Sequence, residues 1–414
     1  MTASAVVRVE GHIIDSLILA KILDVIVAAG AEYQLQDIDV GRSHTDPSHA
    51  RIELRCETED ALERLLADLL PHGAHLVDEP DAKLAEVTRE GVLPRGFYAS
   101  TNLPTSVKVN GRWVEVERPE MDCAVAVSAD GTSARTLPMS HARSGDRVVV
   151  GPIGVKVRPL EKPREPTPGG RGAVTDPFAF MTSEVSSEKP KGLIVTEVAR
   201  RIRRAKADGG KVLVVPGPAV IHTGAGPDLA RLVRESWIDV LFAGNGFAAH
   251  DIESALLGTS LGISIREGTA AEGGHANHLR AINEVRRWGS IYAGVEDGEL
   301  RTGVMFECVR AAVPFVLAGS VRDDGPIPDV ITDVMSAQDA MREKLEGVRV
   351  ALMLASTLHA IATGNVLPAS VETYCVDINQ AVVTKLADRG SHQVLGIVTD
   401  VGLFIRDLTE HLAS

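Results

Sequence analysis

The sequence predicts an α/β protein whose C-terminal part is a parallel, doubly wound sheet, preceded by two smaller units. Three observations support this fold class. From about residue 178 onward, short and almost continuously apolar strands alternate with helical segments, which is typical of a parallel sheet covered on both faces. The first 90 residues mix the helical and strand periods, and residues 91–160 keep the strand period of two. A chain of 414 residues also has room for two or three domains.

The first unit, residues 1–90, is predicted to be a small α+β sandwich. A period-two strand, a helix, an alternating strand and a second helix follow one another, which suggests a βαββαβ order. These segments are "AVVRVEGH", "DSLILAKILDVIVAAG", "ARIELRCE" and "EDALERLLADLLPHG". Gly30 and Gly73 stand where the C-terminal ends of helices favour glycine.

The second unit, residues 91–160, is predicted to be a small all-β module. Asn110 and Gly111 separate two alternating strands in "TSVKVNGRWVEVE", and this dipeptide is a strong hairpin signal. Asp130 and Gly131 repeat the signal between the next two strands. We therefore expect at least two tight β-connections in this part of the chain.

Residues 161–177 are predicted to be a linker, because they are rich in proline and glycine and have no apolar period. Residues 178–414 are then expected to form a Rossmann-like α/β domain with a parallel sheet. Its predicted strands are "KVLVVPG", "IDVLFAG", "LGISI", "PFVLAGS", "VRVALMLAS", "VETYCVDI" and "QVLGIVTD". Its predicted helices include "GPDLARLVRES", "HDIESALLG", "NHLRAINEVRRWG" and "QAVVTKLADRG".

Composition and charge exclude several classes of partner. The net charge is −13, whereas a protein that binds nucleic acid or an anionic membrane would carry a basic surface patch. No apolar run reaches the ~18 residues that span a bilayer, and the N-terminus lacks the pattern of a signal peptide, so a cytoplasmic location is expected. The four cysteines are far apart and form no CxxC pair, which predicts reduced thiols, with Cys375 in the core.

In an open parallel sheet, ligands bind at the carboxyl ends of the strands, so the residues that follow each strand are the candidates for a site. Glycines recur there, where backbone N–H groups and a helix N-terminus can approach phosphate. They are Gly217, Gly224 and Gly226 after the first predicted strand, and Gly244 and Gly246 after the second. Neither stretch is a GxGxxG or Walker A sequence, and tight turns would also use glycine. Their recurrence favours a dinucleotide site.

Polar residues after the later strands admit both a binding and a capping interpretation. Asp377 ends an apolar strand, where a carboxylate can accept hydrogen bonds from ribose hydroxyls and would repel the 2′-phosphate of NADP. Asp377 or Asn379 could equally cap the helix that follows, and both roles can coexist. Ser356, Thr357 and His359 follow the fifth predicted strand, where a helix cap is again the alternative.

Histidines are concentrated in the same strand-end segments. They could relay protons near neutral pH, or they could simply form hydrogen bonds in loops. The five are His222, His250, His275, His278 and His359. His275 and His278 are spaced as a possible metal pair, but HExxH is absent and no third ligand is specified, so no metal site is predicted.

Several long blocks resemble a known family over nearly the whole chain. They include "GFYASTNLPT", "FMTSEVSSEKP", "GPAVIHTGAG", "GNGFAAHDIE", "GGHANHLRAINEV" and "VETYCVDINQAVVTKLADRGSHQVLGIVTDVG". The chain resembles the C-terminal part of bifunctional arginine dihydrolase/ornithine cyclodeaminase enzymes. That region also occurs as a stand-alone ornithine cyclodeaminase. It is similar as well to the conserved region of lysine-oxoglutarate reductase/saccharopine dehydrogenase (LOR/SDH) enzymes.

The resemblance implies an NAD-binding domain similar to that of deoxyhypusine synthase and the conversion of L-ornithine to L-proline with release of ammonia. Arginine hydrolysis is expected to be absent, because no guanidine-hydrolysing domain precedes the α+β unit. The nucleotide site of the family would fall on Asn245, Gly246, Ser356, Thr357, His359, Asp377, Asp400 and Val401.

The chemistry implied by the resemblance needs an acid/base for the amines and a partner for the α-carboxylate. We expect Glu272 or His275 to move protons and Asn277 to orient the substrate. The carboxylate would be bound by Arg266 or Arg280. The δ-ammonium would be bound by Asp323 and Asp324.

Two other functions fit the same pattern. The first is an NAD-dependent dehydrogenase of another amino acid, of the lysine or saccharopine type, which would accumulate free NADH. The second is a nucleotide-binding regulatory module whose N-terminal α+β unit senses an amino acid. In each case the expected partner is a small amino acid, and a homo-oligomer is expected.

Overall fold

A computed structural model describes residues 3–14, 16–41, 46–159, 191–264, 276–323, 325–388 and 394–413. The chain divides into two compact units. Unit 1 is Met1–Ala179 together with Leu367–Ala369, and unit 2 is Phe180–Val366 together with Ser370–Ser414. Among the described helices, none combines the length and the apolar character needed to cross a membrane.

Unit 1 begins with a four-stranded antiparallel sheet and two helices, which confirms the predicted α+β sandwich. The elements are β1 (Ala3–Gly11), α1 (Ile18–Ala28), β2 (Glu32–Asp39), β3 (Ser48–Cys56), α2 (Glu59–Leu69) and β4 (His75–Leu76). The sheet order is β2-β3-β1-β4, so β2 is an edge strand. Alternate residues of β3 are buried, because one face of the sheet packs against the helices.

The two helices bury one apolar face each against this sheet. In α1, Ile18, Ile22 and Ile26 recur every fourth residue and are buried, as a helical period of 3.6 requires. In α2 the N-terminus is capped by Thr58, whose hydroxyl accepts a hydrogen bond from the Ala61 N–H. Four buried leucines on α2 complete the core of this layer: Leu62, Leu65, Leu66 and Leu69.

The later described residues of unit 1 contain a seven-stranded sheet, as the all-β prediction expected. Its strands are β5 (Lys83–Glu86), β6 (Thr105–Val109), β7 (Arg112–Glu117), β8 (Ala124–Val127), β9 (Ala134–Leu137), β10 (Arg147–Val150) and β11 (Val155–Val157), in the order β11-β6-β7-β9-β8-β10-β5. Because β5 pairs with β10, this sheet starts before the boundary expected at residue 90.

Tight turns in this sheet follow the turn chemistry of the sequence. Asn110 and Gly111 both have positive φ, 51° and 74°, and form the two-residue hairpin between β6 and β7. The connection between β8 and β9 is longer than the predicted two-residue turn. In that loop Asp130 accepts hydrogen bonds from Thr132, and Gly131 has φ 71°.

Unit 2 contains the predicted parallel sheet. Its strands are β12 (Lys211–Pro216), β13 (Val240–Gly244), β16 (Phe315–Ala318), β17 (Val330–Ile331), β18 (Val348–Leu354), β19 (Glu372–Asp377) and β20 (Val394–Val398). The short strands β14 (Thr259–Ser260) and β15 (Ile263–Ser264) do not belong to this sheet. The order is β17-β16-β13-β12-β18-β19-β20, with all pairs parallel. Consecutive buried residues in β12 and β18 show that both faces are covered.

One predicted strand was wrong. The segment "LGISI" does not join the parallel sheet, because β14 and β15 form a two-stranded antiparallel hairpin of their own. The seventh strand of the sheet is instead β17, which pairs with β16 at the edge. Two apolar residues are too short a signal for a strand to be found in the sequence.

Helices connect these strands, as the sequence predicted. They are α3 (Lys191–Ala207), α4 (Ala219–His222), α5 (Gly226–Arg234), α6 (Asn245–Leu257), α7 (Asn277–Trp288), α8 (Ile291–Glu296), α9 (Val304–Arg310), α10 (Val334–Lys344), α11 (Leu358–Val366), α12 (Gln380–Asp388) and α13 (Val401–Ala413). The four cysteines are free and buried, in agreement with the prediction of reduced thiols: Cys56, Cys123, Cys308 and Cys375.

Candidate functional site

The strand order of unit 2 fixes where a crevice forms at the carboxyl edge of the sheet. Starting from β12, the chain adds β13 and β16 on one side and then β18, β19 and β20 on the other. This is the 3-2-1-4-5-6 order of dinucleotide-binding folds, with the reversal between β12 and β18. Ligands bind outside the carboxyl ends of the strands at such a reversal. The candidate site is therefore the edge formed by the segments after β12, β13, β18, β19 and β20.

Gly217 lies at the reversal point, directly after β12. Its N–H donates a hydrogen bond to the Leu354 carbonyl oxygen at the end of β18, at 2.7 Å. A Cβ atom at Gly217 would lie 1.9 Å from the Ala355 carbonyl oxygen. Only glycine allows this approach, so backbone rather than side chain lines the crevice between the two central strands.

Gly244 and His359 lie together at the end of β13. A Cβ atom at Gly244 would be 2.6 Å from the Cε1 atom of His359. Desolvation lowers the pKa of His359, although a hydrogen bond to the Ala318 backbone and the charge of Asp323 raise it. The imidazole therefore packs against the end of β13 and forms a hydrogen bond with the end of β16. This is a structural role in addition to the predicted role in nucleotide binding.

The N-terminus of α6 offers unsatisfied backbone donors at the same edge. The helix begins after Gly244, and no side chain caps it. Asn245 is buried, and its Oδ1 atom accepts a hydrogen bond from the Ile327 N–H at 3.0 Å. A Cβ atom at Gly246 would lie 3.4 Å from the Cγ atom of Pro218, so this helix end borders the segment after β12. Uncapped N–H groups next to a glycine turn fit the phosphates of a dinucleotide.

The ends of β19 and β20 carry the predicted acidic residues in capping geometry. Asp377 is buried, and its Oδ1 atom accepts a hydrogen bond from the Asn379 N–H at 2.7 Å. Asn379 in turn accepts one from the Ala381 N–H, in the first turn of α12. Asp400 accepts one from the Leu403 N–H and caps α13. Asn379 and Asp400 therefore cap helices, whereas Asp377 forms a turn with Asn379 just before α12, and each of the three keeps a second oxygen or an amide for a ligand.

The remaining nucleotide candidates occupy the same edge. Ser356 is buried and Thr357 is exposed, and both lie between β18 and α11. Gly224 has φ 79° with open space around it, so its backbone conformation explains the glycine. Val401 is the buried first residue of α13. A Cβ atom at Gly402 would lie 3.1 Å from the Thr223 hydroxyl oxygen, which brings the start of α13 next to the segment after β12.

Most residues predicted to act on the substrate lie outside the described part of the chain. This is so for Glu272, His275 and Asp324, and also for Arg266. Asn277 is described and buried, and its Nδ2 group donates a hydrogen bond to the Thr259 hydroxyl at 2.9 Å. Arg280 is exposed and donates to the Asn277 Oδ1 atom at 2.9 Å. Asp323 accepts a hydrogen bond from the Ser320 N–H at 2.7 Å.

Three of the strand-end histidines converge around a carboxylate that the sequence did not indicate. The His222 and His250 rings meet edge to face with their centroids 4.7 Å apart, and the His278 ring centroid is 6.0 Å from that of His250. Glu253 lies behind them on α6 with no exposed side-chain surface. The spacing of His250 and Glu253 by three residues on a helix was the signal available in the sequence.

No metal centre is found among the described residues, since no three histidine, cysteine or acidic side chains in those ranges are placed to share an ion. A cleft of about 500 Å³ lies within unit 1, between α2 and the segment around Tyr98. It has the size of a small-molecule site but contains none of the predicted site residues. We therefore place the candidate active site at the sheet edge of unit 2.

Three family models match successive parts of the chain. Residues 4–103 match the LOR/SDH bifunctional enzyme conserved region. Residues 104–195 match the first region of the C-terminal part of ArgZ-like arginine dihydrolases. Residues 196–408 match the Rossmann fold of that same C-terminal part.

Known proteins resemble the chain over nearly its full length. An ornithine cyclodeaminase of Methanothermobacter thermautotrophicus is 50% identical over 96% of this chain and 95% of its own. The crystal structure of apo ArgZ, a cyanobacterial arginine dihydrolase, superposes with a TM-score of 0.85 at 37% identity and covers 100% of this chain and 58% of that one. The ternary complex of AgrE with ornithine and NAD+ has a TM-score of 0.53 at 42% identity, with the same coverage.

Proposed function

The chain belongs to the family of ArgZ-like C-terminal regions and ornithine cyclodeaminases, and from this membership we propose that it converts L-ornithine to L-proline and ammonia with bound NAD. The observation that carries the proposal is the 3-2-1-4-5-6 sheet edge with Gly217 at its reversal, in a chain about half identical to named ornithine cyclodeaminases. AgrE, which binds ornithine and NAD+ in its ternary complex, contains a homologous region.

The nucleotide would lie along the carboxyl edge of the sheet. The uncapped N-terminus of α6 and the glycine backbone at Gly217 and Gly246 suit its phosphates. Asp377 would accept hydrogen bonds from a ribose, and its charge favours NAD over NADP. When bound, NAD supplies an acceptor and then a donor of hydride. The full proposed set is Gly217, Gly224, Asn245, Gly246, Ser356, Thr357, His359, Asp377, Asn379, Asp400 and Val401.

The amino-acid substrate would bind beside α7 and the segment after β16. Arg280 is exposed and held by Asn277, so its remaining N–H groups are free to pair with the α-carboxylate. Asp323 and Asp324 are proposed for the δ-ammonium, and Glu272, His275 and Asn277 for the substrate amines. The protein must hold both molecules through oxidation, ring closure and reduction, because one hydride leaves and returns.

The balance of products tests this function. Purified protein with L-ornithine and NAD+ is expected to form proline and ammonia in equal amounts, without a lasting rise of NADH absorbance. NADP+ is expected to support the reaction poorly, because Asp377 would meet the 2′-phosphate. Mass spectrometry of proline, an ammonia assay and absorbance spectroscopy provide the measurements.

Other results would select another function. Net NADH formation with a different amino acid would identify a dehydrogenase. If a panel of basic amino acids gives neither proline nor NADH, while a ligand binds to unit 1, the chain is a regulatory module. In that case the cleft near Tyr98 is the place to examine.

We further propose a cytoplasmic homo-oligomer. The acidic composition and the buried free cysteines support a reducing, aqueous compartment. The edge strand β2 supports self-association, because Tyr33, Leu35 and Ile38 face the helix side of the sheet and remain about two-fifths exposed. Light scattering should give at least twice the chain mass of 44.0 kDa, and Leu35→Glu should shift the protein towards monomer. A monomer in the wild type would refute this association.

A further inference from the structure

The histidine cluster of unit 2 is built around one buried carboxylate. Glu253 accepts hydrogen bonds from the His250 Nδ1–H at 2.8 Å, the Thr259 hydroxyl at 2.8 Å and the Gly262 N–H at 3.1 Å. Burial by itself would raise the pKa of Glu253, but these hydrogen bonds outweigh it and hold the pKa below its usual value. The carboxylate is therefore ionised, and a buried charge with this many donors is a fixed feature of the site.

The carboxylate determines which nitrogen of His250 carries the proton. An ionised carboxylate can only accept hydrogen bonds, so the proton lies on Nδ1 and the lone pair on Nε2. Nε2 has no hydrogen-bond partner in the described part of the chain and is not a fully buried atom. A carboxylate that holds an imidazole in this way is the arrangement that makes histidine a general base.

His222 is an uncharged neighbour that packs against the His250 ring. Its Nδ1 atom lies 2.7 Å from the Ser260 hydroxyl, and its ring packs edge to face on His250. Desolvation, together with the nearby His250, lowers the pKa of His222 to about 4, although the residue as a whole is exposed. At neutral pH it therefore adds no positive charge that would oppose protonation of His250.

The cluster lies next to the proposed nucleotide edge. His250 follows Asn245 by five residues on α6, a rise of about 7.5 Å along the helix axis. The start of α6 in turn borders Pro218, and His222 ends the short helix after it. We expect an amino acid placed against a nicotinamide at this edge to bring its amines within reach of His250.

We propose that His250, in place of Glu272 or His275, is the acid/base that moves the amine protons of the substrate, with Glu253 and His222 as positioning residues. This role rests on the proposed function. His250 Nε2 takes a proton from the δ-ammonium, and the freed amine forms a C–N bond with the iminium α-carbon as the C=N π pair moves onto the α-nitrogen. Protonated His250 gives its proton to the α-nitrogen, whose C–N bond breaks as NH₃ leaves, and it takes one proton from the new ring nitrogen, which forms the C=N bond of the cyclic iminium. His250 returns that proton to the ring nitrogen once the ring has been reduced, and so ends neutral.

The first test compares His250→Gln and His250→Ala with the wild type. Both are expected to lower kcat for proline formation by about 10² to 10⁴-fold, the range for a lost acid/base, while the Kd for NAD+ stays within about twofold. Gln can still donate a hydrogen bond to Glu253 but cannot take up a proton. A loss of rate in His250→Gln therefore shows that the titrating nitrogen itself is needed. Added imidazole should restore part of the activity of His250→Ala. His411→Gln, on α13, is the matched control and should keep the wild-type rate.

The second test uses the pH profile of Glu253→Gln. Loss of the carboxylate charge destabilises protonated His250, so the acidic limb of the kcat profile should move to lower pH. Among the residues that the structure describes, the titratable groups that face the ring are Glu253 on its own helix, His222 on α4 and His278 on α7. The β14–β15 hairpin contributes only uncharged groups, β13 and β16 carry no ionisable side chain, and α9 meets α6 through Asp251. An unshifted profile in a folded variant would count against the assignment.

The outcomes separate this proposal from the proposed function. If the wild type makes proline and His250→Gln does so at the same rate, the acid/base assignment is wrong and the function stands. If the wild type instead reduces NAD+ with another amino acid, the function is wrong. Loss of that activity in His250→Gln, with imidazole rescue of His250→Ala, would still support His250 as the acid/base for the substrate amine, and its retention would overturn the assignment.

Discussion

Gly217→Ala is expected to lower turnover by about 100-fold, the order of loss that a displacement of about 1 Å in an active site can cause. The added methyl group would lie 1.9 Å from the Ala355 carbonyl oxygen, and both atoms belong to backbone or are attached directly to it. The ends of β12 and β18 must therefore separate, which should also cost about 1–3 kcal/mol of unfolding free energy. The rate of proline formation and urea unfolding followed by circular dichroism measure the two effects, and calorimetric titration with NAD+ measures the affinity.

Gly192→Ala is the matched control for this substitution. Gly192 lies in α3, and no described residue comes within 4 Å of an added Cβ atom, so alanine should leave NAD+ affinity and turnover unchanged. Stability should stay the same or rise slightly, since alanine favours a helix more than glycine does. If Gly217→Ala kept the affinity and turnover of the wild type while folded, the crevice between β12 and β18 would not be the nucleotide site.

Asp251→Ala is expected to destabilise unit 2 by about 2–5 kcal/mol at neutral pH. Asp251 is fully buried, and its two oxygens accept hydrogen bonds from the Val304 N–H at 2.9 Å and the Met305 N–H at 2.8 Å. These are the first donors of α9, and each would be left buried without a partner at a cost of about 1–3 kcal/mol. Urea unfolding followed by the fluorescence of Trp237 and Trp288, in a Trp113→Phe background, measures the loss.

The same carboxyl group should make the stability of unit 2 depend on pH. Desolvation raises the pKa of Asp251 to about 6, despite the two backbone hydrogen bonds that lower it. The folded state then binds the proton more tightly than the unfolded state. The resulting contribution of Asp251 to the unfolding free energy is full below about pH 4 and is lost as the pH rises through about 6. The difference in unfolding free energy between the wild type and Asp251→Ala should therefore be larger at pH 4 than at pH 7.

Asp208→Ala provides the comparison, because Asp208 is an exposed acid of the same unit. It should change the unfolding free energy by less than about 0.5 kcal/mol and leave its pH dependence unaltered. A difference between wild type and Asp251→Ala that grows from pH 4 to pH 7 would contradict the raised pKa.

Periodicity in the sequence was enough to predict most of the fold. Near-continuous apolar strands predicted the parallel sheet, because both of its faces are buried, and Asn110-Gly111 predicted a hairpin, because both residues accept positive φ. The same local reasoning failed for "LGISI", where five residues resemble a strand but Ile263 and Ser264 pair only with the adjacent Thr259 and Ser260. Strand pairing depends on residues distant in the chain, which a local pattern does not contain.

For the candidate site, too, the sequence determined one part and the tertiary structure another. The sequence indicated which segments follow the strands, and so it predicted that Gly217, Asp377 and the histidines lie at one edge. Only the tertiary structure brought His222, His250 and Glu253 together, and only it showed that Gly217 is glycine because the Ala355 backbone lies against it. Local pattern determines which elements form, since that depends on neighbours three or four residues away. Side-chain chemistry at the site depends on contacts between elements, and those are determined when the sheet assembles.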